Sequence, residues 1–548
     1  MKQEVYDRVY KQVKTVREML TDAAASEPDH VSYRFKEGDA IRSVTTREFY
    51  DSVENLGASL TAYGLGSAHI ACVAENCYPW IQSFLTALMS GGVFVPIDKE
   101  LPADNIIFLL NDSDSEAVFC SAKYEKIFRE RRNEMPSVRY FICFGLDEHD
   151  GDFLSFSKLI ADGASLDRAE YDSFVTDENE LKYLVYTSGT TGIAKGVMLT
   201  EHNIVSSVYN GLQLSRIFGT GLSVLPFNHT YEAVCEILVC IHCHITLCLN
   251  DSLRHVQKNM QLFKPTYIYL VPAFSEHFYN SIQTNVKKQG KEKTLARMIR
   301  ISNRLRKLGI DMRRVFFKDI LAGFGGNLEK IVCGGAPIRP EIGKFFGDIG
   351  ISLTGGYGIT ECSPLVSVND DRDNNYSSAG HRLPCLEWRI DSPDPDGIGE
   401  ICIRGDVVMK GYYKKPELTA QAIRDGWFYT GDYGYINEKD EIVLTGRKKN
   451  IIVLNNGKNV YPEEIELTVS QALPYIKEIV VSGIRNEHGQ DIALGAEIFI
   501  EEENFDTSAV PGEVKKVLAA LPGYKQITKF SFRSEPFPKT TTNKIIRG

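Results

Sequence analysis

The 548-residue sequence lacks a long apolar run. No stretch approaches the roughly 18 consecutive apolar residues that cross a bilayer as a helix, so an integral membrane protein is not expected. The amino terminus, Met1 to Leu20, is rich in Lys, Arg, Glu and Asp and has no apolar segment of the kind that a signal peptide needs. We therefore expect a cytoplasmic protein.

The sequence also lacks a surplus of basic charge. It has 62 Lys and Arg against 72 Asp and Glu, which gives a formal net charge of -10. Nucleic-acid backbones are bound by a surplus of Lys and Arg. A nucleic-acid partner is therefore not expected.

A disulfide framework is absent as well, since 12 cysteines are spread over the whole chain. Cys72, Cys333 and Cys402 lie in apolar strand-like runs, where a reduced thiol behaves as a small hydrophobe. The string from Cys240 to His244 spells the Cys-x-x-Cys-His attachment site of c-type haem, which would require export. The surrounding run from Ala233 to Leu249 is apolar, so it predicts a buried segment instead.

The sequence has no internal repeat and no low-complexity tract. Instead, strand-like runs alternate with helical stretches, which is typical of an α/β fold with mostly parallel sheets. These runs are Ile70 to Val73, Val93 to Pro96, Tyr183 to Tyr186 and Ile331 to Cys333. A basic helical insertion is predicted at about 275–323, a β-rich subdomain at about 380–446, and a small α+β domain at the carboxyl end.

The strongest local motif runs from Tyr186 to Gly196, directly after the strand-like run that ends at Val185. Its glycines let backbone N–H groups turn inward, its hydroxyls add donors and Lys195 adds positive charge, which together favour a phosphate cradle. The Walker pattern requires Gly-Lys followed by Ser or Thr, whereas Lys195 here follows Ala194 and precedes Gly196. A nucleotide kinase or motor ATPase is therefore disfavoured.

This segment resembles the phosphate loop of the adenylate-forming family of acyl-CoA synthetases, luciferases and peptide-synthetase adenylation domains. Further segments resemble that family's motifs in the same order, over roughly Thr45 to Arg547. They are Gly334 to Pro337 (adenine-side loop), Gly356 to Glu361 (nucleotide signature), Tyr429 to Asp432 (ribose segment), Gly446 to Asn450 (hinge) and Pro538 to Lys544 (catalytic lysine). Several ordered motifs are far more specific than any one of them.

The resemblance implies a role for each matching residue. The phosphates would be held by Thr187, Ser188, Gly189, Thr190, Thr191, Gly192 and Lys195. Adenine would contact Gly335, Ala336, Pro337, Gly356 and Tyr357, and the ribose Asp432 and Arg447. Thr360 would contact the α-phosphate, Glu361 and Thr190 would bind Mg2+, and His229 would lie beside the acyl carboxylate. Lys544 would stabilise charge in the first half-reaction, Lys449 would be the hinge, and Gly457 and Lys458 would reach the site for the second.

The implied organisation is an adenylation domain at 1–446, a hinge at 447–449 and a mobile domain at 450–548. The implied reaction uses ATP and Mg2+ to convert a carboxylic acid into an acyl-AMP, and then transfers the acyl group to coenzyme A. The helical insertion before Phe324 and the string His229 to Glu232 look most like bacterial long-chain fatty acyl-CoA synthetases. A medium- or long-chain fatty acid is therefore the expected substrate.

Two alternatives stay open. The acceptor could be a phosphopantetheinyl acyl carrier protein instead of coenzyme A. The chain could also be an acyl-nucleotide sensor without turnover, because a fold alone does not establish activity. Lys544 argues against a sensor, while Asn543, where the family usually has Gly, and Asn228, before His229, depart from the pattern.

Membrane contact is expected to be weak and peripheral at most. Between Arg297 and Lys318, apolar residues alternate with Arg and Lys, a pattern that can rest on anionic lipid. The apolar residues are Leu295, Met298, Ile301, Leu305 and Leu308. Any association should be sensitive to salt.

Overall fold

A computed structural model describes residues 10–174, 177–188, 194–455, 458–487, 489–502, 505–539 and 545–547. The chain divides into two compact units: unit 1 comprises Met1–Glu387 and Arg404–Phe428, and unit 2 comprises Trp388–Ile403 and Tyr429–Gly548. The predicted hinge at 447–449 falls inside unit 2, and the predicted domain boundaries stay a prediction.

Unit 1 contains a nine-stranded sheet in which most neighbouring strands are parallel. Its strands, in spatial order, are His381–Arg382, Leu365–Val368, Ser352–Gly358, Lys330–Cys333, Tyr267–Leu270, Thr220–Ser223, Thr246–Leu249, Val31–Glu37 and Ala40–Thr45. The short central strands are apolar and buried, as expected where helices cover both faces of a parallel sheet.

A second sheet of unit 1 has eight strands. In spatial order they are Gly411–Tyr412, Ala194–Thr200, Leu181–Ser188, Val93–Pro96, His69–Val73, Ala117–Cys120, Tyr140–Cys143 and Phe153–Ser155. The predicted strand-like runs all fall on strands of these two sheets, so the α/β fold class is confirmed. The remaining short strand of unit 1 is Ile423–Arg424.

The helices of unit 1 connect these strands. They are Val16–Ser26, Thr46–Ala62, Tyr78–Met89, Ala103–Asp112, Ala122–Glu130, Phe156–Gly163, Ala169–Asp172, Glu201–Leu214, Thr230–Glu232, Val239–Cys243, Val256–Phe263, Pro272–Lys288, Glu292–Arg306, Arg313–Phe316, Lys318–Ala322, Pro340–Ile349 and Pro416–Ala422. The described part of unit 1 also has a π-helix, Ala233–Leu238, and three 3-10 turns, Arg132–Glu134, Leu253–His255 and Thr360–Cys362. The helix Glu201–Leu214 begins at a capping box in which Thr200 and Asn203 exchange side-chain and backbone hydrogen bonds.

The cysteines lie where small apolar side chains are expected. Cys72, Cys333 and Cys402 are buried in strands, and all twelve cysteines are free thiols. Cys240 and Cys243 are buried in a helix that ends at His244 in the left-handed conformation, with φ of 52°. The prediction of a buried apolar segment from Ala233 to Leu249 is therefore confirmed.

The predicted helical insertion is helical, and its longest basic helix is Glu292–Arg306. Leu295 and Met298 pack against the core cluster that includes Phe345 and Phe346. The expectation that these two side chains could rest on lipid was therefore wrong, because the fold turns that face of the helix inward. Ile301 and Leu308 are exposed.

Unit 2 has an α+β core of its own, as predicted for the carboxyl end. Its three-stranded sheet has Asp491–Phe499 in the centre, antiparallel to Glu478–Arg485 and parallel to Ile527–Arg533. Its helices are Pro462–Ala472 and Val510–Leu518, with 3-10 turns at Lys448–Asn450 and Gly523–Lys525. Its other strands are Ile442–Arg447, Ile452–Val453 and Asn459–Val460. Three further strands contain residues assigned to both units: Leu386–Asp391, Gly399–Gly405 and Trp427–Ile436.

A β-rich region is thus present, and its bounds of about 380–446 stay a prediction. In the part of the chain that the structure describes, no helix is both long enough and apolar enough to cross a membrane.

Candidate active site

The predicted phosphate loop joins two antiparallel strands of the eight-stranded sheet. Leu181–Ser188 pairs with Ala194–Thr200, so that Thr187 lies opposite Lys195 and Ser188 lies opposite Ala194. Gly189, Thr190, Thr191 and Gly192 lie outside the described residues. The pairing fixes Thr187 and Lys195 at the two ends of the loop.

A tyrosine that sequence analysis did not identify lies between two predicted site residues. Tyr412 donates a hydrogen bond of 2.9 Å from its hydroxyl to Oε1 of Glu361. Nζ of Lys195 lies 5.2 Å from the centroid of the Tyr412 ring, within the range of a cation–π contact. Tyr412 therefore connects the phosphate-loop lysine to the predicted magnesium carboxylate.

The backbone holds Tyr412 in this place. The strand Gly411–Tyr412 pairs with the second strand of the phosphate loop, and the Tyr412 N–H donates to Oγ1 of Thr419 at 2.8 Å. The Met409 N–H donates to the carbonyl of Glu361 at 2.8 Å. Burial, and then the nearby charge of Glu361, raise the pKa of Tyr412 above its usual value, so the phenol stays a donor.

Glu361 is a predicted site residue whose carboxylate could hold a magnesium ion. Among the described residues, no group of three or more His, Cys, Asp or Glu side chains could hold a metal ion. An ion beside Glu361 would take further ligands from phosphate oxygens and water, which is how Mg2+ usually binds. Tyr412 occupies Oε1, and Oε2 is directed to no hydrogen-bond donor within the described chain.

Two predicted nucleotide segments follow neighbouring parallel strands of the nine-stranded sheet. Gly334 to Pro337 follows Lys330–Cys333, and Gly356 to Thr360 lies at the end of Ser352–Gly358. Ligands of α/β sheets bind at the carboxyl ends of parallel strands, where these segments lie. Gly335 has a φ of +87°, and Ala336 and Pro337 are exposed, whereas Tyr357 is buried.

His229 lies at the same end of the same sheet. It follows the strand Thr220–Ser223 and is the residue before the helix Thr230–Glu232. The next residue but one, Tyr231, donates a hydrogen bond of 3.2 Å to the carbonyl of Val332. Through Tyr231, the segment of His229 contacts the strand that leads into the adenine-side loop.

Two buried glutamates follow His229 and were not identified from the sequence. Glu232 and Glu236 are both fully buried, one helical turn apart. Burial raises the pKa of Glu232 to about 8, and burial together with the Glu232 charge raises the pKa of Glu236 well above its usual value. The pair therefore holds at least one proton at neutral pH, since two adjacent buried carboxylates cannot both ionise cheaply.

In unit 2, the two predicted ribose residues contact each other. Asp432 lies opposite Arg447 on paired antiparallel strands, and Nε of Arg447 lies 3.1 Å from Oδ1 of Asp432. The Asp432 side chain is nearly buried, while that of Arg447 is half exposed. A carboxylate and a guanidinium, two groups that can form hydrogen bonds with ribose hydroxyls, therefore lie in contact.

Glu400 is a further residue of unit 2 that sequence analysis missed. Its Oε1 accepts the N–H of Gly431 at 3.1 Å, and its Oε2 lies 2.5 Å from Nζ of Lys448. Glu400 thus contacts both Gly431, which precedes Asp432, and Lys448, which precedes Lys449. Its position after Gly399 at the start of a strand is the only signal the sequence offers.

The structure describes only some of the residues predicted for the mobile domain. Lys449 is exposed in the 3-10 turn Lys448–Asn450, and Nζ of Lys458 lies 5.8 Å from the centroid of the Tyr524 ring. Gly457, Asn543 and Lys544 lie outside the described residues. Lys539, in the segment predicted to carry the catalytic lysine, forms an ion pair of 2.6 Å with Glu478.

The fold is that of the adenylate-forming ligases. A crystal structure of the anthranilate CoA ligase AuaEII in complex with anthranoyl-AMP matches with a TM-score of 0.77 and 18% sequence identity, over 100% of this chain and 97% of that one. The family can be stated from the sequence as well. The profile described as "AMP-binding enzyme" matches residues 20–413, so the chain belongs to that family.

Curated relatives extend over most of the chain. The long-chain-fatty-acid–CoA ligase FadD15 of Mycobacterium bovis is 28% identical over 514 residues, which cover 90% of this chain and 83% of that protein. The long-chain-fatty-acid–[acyl-carrier-protein] ligase AEE15 of Arabidopsis thaliana, chloroplastic, is 26% identical over 601 residues, covering 94% and 80%. The family resemblance predicted from the motifs is confirmed.

Proposed function

We propose that this AMP-binding enzyme is an acid–thiol ligase that activates a medium- or long-chain fatty acid with ATP and transfers the acyl group to coenzyme A. The observation that carries the proposal is the cluster of Lys195, Tyr412 and Glu361 at the base of the phosphate hairpin. The names of the two curated relatives support the choice of a fatty acid.

The first half-reaction is an attack of the fatty-acid carboxylate on the α-phosphorus of ATP, with pyrophosphate as the leaving group. Two anions must approach each other, so positioning and cationic stabilisation matter more than proton transfer. In this proposal Lys195 and Thr187 bind the phosphates, and Thr360 contacts the α-phosphate. A magnesium ion bound with ATP would neutralise phosphate charge, and Glu361, oriented by Tyr412, would hold it together with Thr190.

The remaining nucleotide contacts are proposed from the family motifs. Gly335, Ala336 and Tyr357 contact adenine, while Asp432 and Arg447 hold the ribose. His229 lies beside the acyl carboxylate. Lys544 acts in the first half-reaction, and a rotation about Lys449 brings Gly457 and Lys458 into play for the second, as in other hinge-gated enzymes.

The experiment is ATP–pyrophosphate exchange with a panel of carboxylic acids of increasing chain length, followed by thioester formation. Exchange that requires a fatty acid, and acyl transfer to coenzyme A, would support the proposal. Exchange with short or aromatic acids only would exclude the fatty-acid assignment while keeping the adenylate-forming chemistry.

A second acceptor is supported by the name of AEE15, an acyl-carrier-protein ligase. The same preparation should therefore also be offered holo acyl carrier protein. Exchange with transfer to the carrier protein and none to coenzyme A would favour that acceptor. Nucleotide binding without exchange for any acid would favour a sensor that has lost turnover.

A further inference from the structure

The helical insertion of unit 1 presents a surface that the proposed reaction does not use. We call it the basic tip and define it by the exposed apolar residues Ile301, Leu308, Ile310 and Val315 and by the basic residues Arg297, Arg300, Arg304, Lys307 and Lys318. We propose that the basic tip docks the enzyme onto an anionic membrane surface.

The geometry of the helix Glu292–Arg306 separates two faces. Leu295, Met298 and Ile299 pack against the core. Arg297, Ile301, Arg304 and Leu308 follow each other at spacings of three and four residues, so they share the opposite face. This outward stripe alternates cationic and apolar side chains, as helices that bind membrane surfaces do.

The end of this helix projects more apolar side chains. Gly309, with a φ of +80°, closes a turn in which the N–H of Ile310 donates to the carbonyl of Leu305 at 3.0 Å and that of Gly309 to Arg306 at 2.9 Å. This is the Schellman arrangement, which fixes the chain reversal after a helix. Leu308 is left 76% exposed and Ile310 49% exposed.

The neighbouring short helix Arg313–Phe316 packs against the same helix and adds Val315, which is 64% exposed. Four large apolar side chains exposed within one segment of 15 residues, from Ile301 to Val315, are unusual on a surface that faces only water.

The positive charge of the basic tip favours an anionic partner. From Arg297 to Lys318 the chain has eight Lys or Arg residues and one acidic residue, Asp311, although the whole chain carries a net charge of -10. Asp311 is held by Arg313 at 2.6 Å. Within the described chain, no carboxylate forms an ion pair with Arg297, Arg300, Arg304, Lys307 or Lys318, so these cations are available to anionic lipid headgroups.

The test is co-sedimentation of the full chain with phosphatidylcholine vesicles that contain or lack phosphatidylglycerol, at low and high salt. The wild-type protein should bind only the anionic vesicles, and less at high salt because screening weakens the contact. Arg300→Glu with Arg304→Glu should weaken binding by at least about tenfold, since each lost cation costs about fivefold before reversal adds repulsion. Leu308→Ser with Val315→Ser should weaken binding by about tenfold as apolar burial is lost.

Matched control variants distinguish a specific contribution of the basic tip to vesicle binding from general effects of net charge and exposed apolar surface. Lys126→Glu with Lys515→Glu changes the net charge equally at exposed positions outside the tip. Phe108→Ser removes an apolar side chain that is 53% exposed on the helix Ala103–Asp112. Both controls should bind vesicles like the wild type, and all variants should retain the wild-type unfolding temperature.

Three results would overturn the proposal. They are no binding to anionic vesicles, equal binding to neutral vesicles, and unchanged binding in both tip variants. Binding of an acidic carrier protein that Arg300→Glu with Arg304→Glu abolishes, without vesicle binding, would assign the tip to a protein partner instead. The result does not depend on the proposed ligase activity, which the exchange assay tests separately.

Discussion

Tyr412 donates its phenolic hydrogen to Glu361 at 2.9 Å, while its ring lies beneath the ammonium of Lys195. One side chain thus contacts both a predicted phosphate ligand and a predicted magnesium ligand. If Glu361 must keep one orientation to meet the ion, the phenol fixes that orientation.

Replacing Tyr412 with Phe tests this role. The ring and its contact with Lys195 remain, but a hydrogen bond to a carboxylate is lost, which typically costs about 1.5 to 3 kcal/mol. We expect ATP–pyrophosphate exchange to slow by roughly ten- to a hundredfold, with a higher Mg2+ requirement. Exchange measured over a range of Mg2+ concentrations checks both effects.

The adjacent Tyr413→Phe is the matched control. Tyr413 donates at 2.7 Å to Asp114, an exposed carboxylate of unit 1 that is not predicted to contact substrate. Exchange should be unchanged. An equal loss of exchange rate in Tyr412→Phe and Tyr413→Phe would show that Tyr412 acts through general packing and does not orient Glu361.

The buried Glu201 predicts a specific dependence of stability on pH. Burial raises its pKa to about 7, although the Val16 N–H, Lys182 and Arg17 favour the charged form. Because the folded-state pKa lies above the unfolded value, the folded protein binds more protons between about pH 4.5 and 7, and stability falls as pH rises through that window. Glu201→Gln keeps an acceptor for Val16 but removes the titration.

The variant should therefore gain stability relative to the wild type by about 2 kcal/mol between pH 5 and pH 8. Urea denaturation at the two pH values measures the difference. The exposed Glu170→Gln should show no such change. A difference between Glu201→Gln and wild type that stays constant with pH would contradict the assigned titration.

The ion pair of Lys330 and Asp371 is the most deeply buried one in unit 1 among the described residues. Its atoms lie 2.6 Å apart and the side chains are 1% and 2% exposed. Lys330→Met removes the buried ammonium that lies against the Asp371 carboxylate, so we expect a loss of about 3 to 5 kcal/mol in unfolding free energy. Adding Asp371→Leu should recover about half of that loss.

A double variant no more stable than Lys330→Met alone would show that the lost energy comes from packing. Denaturant titration of the two variants and the wild type provides the comparison. Lys344→Met, whose partner Asp348 also lies at 2.6 Å but whose own side chain is 66% exposed, should cost less than about 1 kcal/mol.

The sequence predicted an α/β fold with mostly parallel sheets and the order of the site motifs, because apolar period and glycine placement are local properties. It did not predict Tyr412, since the hydroxyl meets Glu361 only after the strand Gly411–Tyr412 pairs with the phosphate hairpin. Glu400 and Glu232 were missed for the same reason. Their partners lie far along the chain or become relevant only on burial.

The direction of the basic helix could not be predicted either. Leu295, Met298, Ile301 and Leu308 all follow a helical period, yet the first two face the core and the last two face solvent. The apolar residues of this segment extend around more of the helix than the single face that packs against the core. Only the packing of neighbouring helices decides which part of such a stripe is covered.

In the proposed two-step reaction, Lys544 serves only the first step. Lys544→Ala removes a cation from the developing charge between α-phosphate and pyrophosphate, which should cost about 3 to 4 kcal/mol, or roughly a thousandfold in adenylation. Conversion of preformed acyl-AMP to the thioester should stay near the wild-type rate.

Two lysines of unit 2 serve as controls. Lys539→Ala breaks the ion pair with Glu478 but should leave both half-reactions largely intact. Lys529→Ala, at an exposed position on the strand Ile527–Arg533, controls for the loss of a charge alone.

The decisive measurement compares the two half-reactions of Lys544→Ala in one preparation: acyl-AMP formation from ATP and fatty acid, and thioester formation from supplied acyl-AMP. We expect the rate of acyl-AMP formation to fall roughly a thousandfold while the rate of thioester formation stays near that of the wild type. Equal loss in both steps, or a larger loss of adenylation in Lys539→Ala, would contradict it.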